Sequence, residues 1–157
     1  MRLPKNKNRG VALIEILIGT SILTIVLSFI SYTLLLFLDT SDLALEQTRA
    51  LYLAEEGQEF LRYLRDEDWN TIADLTEGNT YYLAIATTTV AITNTPEVID
   101  GTYTRSVVVD ELRRDGNDDF VESGGTVDGG GRVITVTVTW GSKDVTLTSI
   151  LTNLYDI

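Results

Sequence analysis

Arg9-Gly10-Val11-Ala12-Leu13-Ile14-Glu15 is the stretch on which the fold of this chain turns: a basic segment stops at a glycine, and an apolar run starts that carries one carboxylate at its fifth position. The run continues to Leu38, and its length of about 28 residues is enough to cross a hydrocarbon layer of about 30 Å as a helix. A carboxylate costs roughly 2.5–3.5 kcal/mol at the centre of such a helix and somewhat less near an end, so Glu15 calls for a compensating partner. In a plain single-pass anchor it would only snorkel to the interface. A secretory signal peptide fits poorly, because its apolar core runs about 7–15 residues and is followed by a small-residue cleavage site. No such site follows Leu38.

Nothing ends the helix at Leu38. There is no proline from Val11 to Asp66, and Ala44-Leu45-Glu46-Gln47 through Ala54-Glu55-Glu56 are strong helix formers. One helix of about 55 residues is expected, roughly 80 Å at 1.5 Å per residue. Its second half, over 39–66, is amphipathic: Ala50, Leu53, Ala54, Gly57, Phe60, Leu61 and Leu64 fall on one face, and Glu55, Glu59 and Arg62 fall opposite. The small residues Ala50, Ala54 and Gly57 suit close approach to a partner. In the membrane half Ser21, Thr24, Ser28 and Ser31 recur at spacings of three, four and three. Such a row permits close packing of helices, and it is equally explained by hydroxyls bonded to their own helix backbone.

The partner for the second half is a sheet. Ile134, Val136, Val138 and Trp140 alternate with Thr135, Thr137 and Thr139, the period of two of a strand. Gly141-Ser142-Lys143-Asp144 reads as a turn, after which Val145, Leu147, Ser149 and Leu151 resume the alternation as the second arm of an antiparallel hairpin. Tyr81–Thr93 and Thr102–Leu112 also read as extended. The expected fold is α+β: a long N-terminal helix packed on an antiparallel sheet of three or four strands, with residues 67–157 as the globular part. Asp66 through Gly78 is expected to turn the chain and tuck Trp69 against the sheet, and the glycine-rich segment 124–131 is expected to be a mobile loop.

Charge and composition set the function classes. The 157 residues hold 12 Lys and Arg against 23 Asp and Glu; four of the cations, Arg2, Lys5, Lys7 and Arg9, lie in the first ten residues, leaving a formal charge of −15 on residues 11–157. Basic residues beside an apolar helix stay in the cytoplasm, which sends the acidic part outward as a single-pass membrane protein. General nucleic-acid binding is not expected, since phosphate neutralisation needs clustered cations and only Arg113-Arg114 are adjacent. The chain has no histidine and no cysteine, so Ser-His-Asp and Cys-His catalysis and the common zinc sites are closed to it. Paired carboxylates remain, but so acidic a surface gives chance pairs, and no enzymatic activity and no cofactor are expected. Asp115, Asn117 and Asp119 place oxygens at alternate positions, as a calcium loop begins. Phe120 and Thr126 stand where such a loop needs glycine and glutamate, so no metal site is assigned.

The basic leader, Gly10, the long apolar helix and Glu15 together resemble the type IV pilin-like family of prepilins, minor pilins and pseudopilins. The resemblance covers the first 30 or so residues strongly and the remainder by architecture. It implies cleavage between Gly10 and Val11 by a prepilin peptidase, N-methylation of Val11 by the same enzyme, and a role for Glu15 in assembly. The family's usual first mature residue is phenylalanine, so Val11 departs from it. Tyr32 stands where many major pilins have proline, which points to a minor subunit. The implied partners are other pilin-like subunits, the peptidase and methyltransferase, an inner-membrane assembly platform and, before assembly, lipid. The implied function is a structural subunit of a type IV pilus or type II secretion-like filament at the cell surface. A membrane-anchored binding or adhesin module that does not polymerise is the alternative.

Overall fold

The computed structural model describes residues 9–85 and 89–154. The cations at positions 2, 5 and 7 and the middle of the extended segment 81–93 lie outside them. Helix α1 spans Arg9–Glu67 without a break, as the absence of proline and the run of helix formers require. The chain divides into two compact units, Met1–Leu45 and Glu46–Ile157.

The first unit is helix alone over its described residues, and every side chain from Val11 to Thr40 is exposed. Long apolar side chains such as Leu13, Leu17, Phe29 and Phe37 are more than half exposed. A helix that is apolar all round and buried against nothing in its own chain is long enough and apolar enough to span a membrane once.

The second unit packs the remainder of α1 on a sheet. After α1 come the short helix α2 (Asn70–Ala73) and strands β1 (Thr80–Ile85), β2 (Val90–Thr93), β3 (Val98–Ile99), β4 (Tyr103–Arg114), β5 (Thr126–Trp140) and β6 (Lys143–Thr152). The order is β2-β1-β4-β5-β6, with β3 on β4, and every pairing is antiparallel. The α+β class therefore holds, with six strands in place of the expected three or four. The extra strands arise where one extended segment was expected over 81–93: its two ends pair with each other, Ile85 opposite Val90 and Tyr82 opposite Thr93. A second addition is the two-residue β3, too short to show a period.

The β5–β6 hairpin forms as its alternation dictates. Trp140 pairs with Lys143 across Gly141-Ser142, a tighter connection than the four-residue turn expected, and Gly141 takes φ +58°. Positive φ at the first central residue is the pattern of a type II′ turn, whose twist matches the flanking strands. The segment 124–131 is also corrected: Thr126 to Gly131 belong to β5, where Thr126, Val127 and Asp128 pair with Arg114, Arg113 and Leu112. The register then slips between Glu111 and Leu112, leaving Gly129, Gly130 and Gly131 without partners on β4. Glycine fits this bulge because a Cβ on Gly131 would lie 2.4 Å from Leu112 Cδ2.

The helix lies on the sheet by the face its sequence marks. Ala50, Leu53, Ala54, Leu61 and Leu64 join Val107, Val109, Ile134, Val136, Val138 and Trp140 in one buried cluster, while Glu55, Glu59 and Arg62 remain exposed. Burial of a side chain such as Leu61 is worth about 1.5–3 kcal/mol. The connection after α1 also behaves as its residues suggest. Asp68 Oδ1 accepts the Asn70 amide at 3.0 Å, Ile72 is fully buried, and Trp69 packs against the cluster.

Candidate functional site

The residues singled out for assembly all lie on α1 in the first unit. The Gly10–Val11 bond sits in the helix's first turn, where backbone amides have no intrahelical acceptor and local opening costs little. Val11 and Glu15 are four residues apart and so share a face, their Cβ atoms about 5–6 Å from each other. Glu15 is exposed and, among the described residues, has neither a hydrogen-bond nor an ion-pair partner.

The hydroxyl row has a different orientation and is internally satisfied. Ser21 donates to Leu17 O at 2.7 Å, Thr24 to Thr20 O at 2.8 Å, Ser28 to Thr24 O at 2.8 Å and Ser31 to Leu27 O at 2.9 Å. These bonds hide the polar groups from an apolar surround and keep the row narrow. At about 100° per residue the row lies roughly opposite Glu15 around the helix. The helix thus unites Val11 with Glu15 and unites the four hydroxyl residues, but it sets the two groups on opposite sides.

The second unit contains two features that the sequence reading missed. Arg105 lies under α1 with only 3% of its surface exposed. Its Nη1 donates to Leu53 O at 2.9 Å and to Glu56 Oε2 at 2.8 Å, the Phe60 ring lies 5.8 Å from its guanidinium carbon, and its Nε has no partner. The stem of Arg105 is the reason for Gly57: a Cβ there would lie 2.8 Å from Arg105 Cδ and 3.0 Å from Val136 Cγ1. The inward direction of Arg105 was legible in principle, since Tyr103, Val107 and Val109 set the period of β4 that includes it.

The other feature is Glu46, on α1 and bonded to the tip of the β5–β6 hairpin. It accepts Trp140 Nε1 at 3.1 Å and Lys143 Nζ at 2.9 Å. The bond from Lys143, followed by that from Trp140, holds its carboxyl below the usual range. Residues 46 and 140–143 are nearly a hundred positions apart, and no local pattern couples them.

The acidic loop after β4 uses its oxygens internally. Asp115 Oδ1 accepts the amides of Asn117 at 2.8 Å and Asp119 at 3.0 Å, and these bonds lower its carboxyl from the ordinary value. Asp128 is held low by Arg114, whose Nε lies 2.7 Å from its Oδ2, and then by the Gly130 amide. Among the described residues no group of three acidic side chains converges as a metal would need.

A scan against protein-family models, a search of curated proteins and a search of solved structures each returned no match. The long apolar helix and the α+β domain that follows it therefore stand on their own geometry.

Proposed function

We propose that this chain is a structural subunit, a minor pilin or pseudopilin, of a type IV pilus or type II secretion-like filament. In this reading a peptidase removes residues 1–10 on the cytoplasmic side, and the new amino group of Val11 is methylated. Glu15 then pairs with a terminal ammonium, its own or a neighbour's, as helices leave the lipid and pack together. The observation that carries the reading is the lone, unpartnered Glu15 one turn after Gly10 in an unbroken helix that is otherwise apolar to Leu38.

The energetics favour coupling between processing and assembly. An ionised carboxylate in an apolar surround is stable only with a close opposite charge, and losing one partner of a buried pair costs about 3–5 kcal/mol. Cleavage creates the cation at the position where helix geometry needs it. The globular unit serves as the exposed part of the subunit, without catalysis or cofactor.

The test is incorporation of Glu15→Ala into filaments. The variant is expected in the membrane at normal amount with a folded globular unit, but largely missing from sheared filaments. Entry at the wild-type rate removes the role given to Glu15.

A further inference from the structure

The outer face of the sheet, turned away from α1, ends in a concavity of about 490 Å³. Leu112, Val133 and Ile150 line it, and Phe120 forms one wall. Phe120 and Ile150 keep 53% and 40% of their surface exposed, and the Arg114 guanidinium fixes the Phe120 ring from 4.3 Å. Glu77, Asp110 and Glu122 stand at the rim, and none of the three has an ion-pair partner among the described residues. The remaining acid of the lining, Glu111, is matched by Arg113 at 2.7 Å. An apolar floor under three uncompensated carboxylates selects an occupant that is apolar in the middle and cationic at its edges.

We infer that this concavity docks a segment of a different polypeptide, an apolar side chain flanked by Lys or Arg. A second copy of the mature chain has no cation to spare, its Val11 ammonium being committed to Glu15 in the proposed function. Arg49, Arg62, Arg65, Arg105, Arg113, Arg114 and Lys143 are each paired with an acid of their own chain, and Arg132 donates to Gly131 O and Ala73 O. Drawing one of the seven paired cations away would leave its own carboxylate uncompensated, with no net electrostatic gain, and drawing Arg132 away would break its bonds to two backbone carbonyls. The inference rests on the proposed function in one respect, since removal of residues 1–10 takes away the four other cations. Partner recognition of this kind is strongly salt-dependent and sets which subunit is accepted.

The experiment uses the native full chain in non-ionic detergent micelles, with its intact mass recorded first so that failure of processing is seen separately. The probe is a fluorescent peptide, Lys-Leu-Lys-Phe-Lys, followed by anisotropy at low salt against empty micelles. Binding is expected to fall about tenfold in Glu77→Gln/Asp110→Asn/Glu122→Gln. It should persist in Glu55→Gln/Glu97→Gln/Asp144→Asn, which removes the same charge elsewhere. Ile150→Ser should weaken it with the rim intact. Equal loss in both triple variants would mean diffuse attraction to an acidic surface and overturn the site. Undiminished binding after Ile150→Ser, or of a peptide with glycine for Leu and Phe, would do the same. Self-association of the chain that the rim variant abolishes would assign the surface to a second copy instead.

Discussion

Gly57 and Arg105 show how a single contact sets the spacing of helix and sheet. Alanine is the better helix former by about 1 kcal/mol, yet a Cβ at position 57 would meet the stem of an Arg105 held by Leu53 O and Glu56. Because that stem is buried and tethered at its far end, the clash outweighs the propensity gain, and overpacking of this kind costs about 1–3 kcal/mol. Gly57→Ala is therefore expected to lower the chemical-denaturation midpoint, and a raised midpoint would show that Arg105 yields freely. The acid groups give a prediction of defined sign. Asp128, Asp115 and Glu46 are all held below their ordinary values, by Arg114, by loop amides and by Lys143 in turn. A depressed folded-state value stabilises the fold above the unfolded carboxylate range and is lost as pH falls through it. With no histidine in the chain, the thermal midpoint should stay level from about pH 7 to about pH 5 and drop below about pH 4. Asp128→Asn should make that drop shallower.

Among the elements, α1 is the one whose two halves announce themselves differently in sequence. The amphipathic half was readable, because Ala50, Leu53, Ala54, Gly57, Leu61 and Leu64 keep helical spacing and are buried, with Phe60 on the same face half-buried. The β5–β6 hairpin was readable for the same reason, with period two in place of 3.6. What escaped was non-local or too short: β3 spans two residues, the β1–β2 pairing lay hidden in one extended segment, and three glycines that look like a loop form a bulge because Leu112 occupies the space above Gly131. Glu46 was invisible, since its partners come from the far end of the chain. In the apolar half, Glu15 and the row Ser21, Thr24, Ser28, Ser31 were readable as features, and the helix adds that they face opposite ways. In the proposed filament two opposite faces engage different neighbours, so their contributions to assembly should be independent. Thr24→Leu/Ser28→Leu is expected to reduce filament incorporation by a factor that multiplies with that of Glu15→Ala. A combined loss no worse than the larger single loss would mean that both act at one contact.

Over the whole molecule the arrangement is one of charge. Four cations sit within the first ten residues, a lone acid follows in the apolar helix, and residues 11–157, that acid included, carry −15. The globular unit ties seven of its eight cations to its own acids and holds the eighth, Arg132, on carbonyls, so its surface is acidic and, in the proposed docking, suits a cationic partner. In the proposed reading the basic end fixes the direction of the helix in the membrane, and its removal leaves Glu15 facing a newly made ammonium one turn away. That step decides between a filament subunit and an anchored module that keeps its leader. Intact mass combined with N-terminal sequencing of the native polypeptide reads it directly. A chain that starts at Val11 and carries one added methyl group is the expected result, and a chain that still starts at Met1, Arg2 or any residue upstream of Val11 would contradict it.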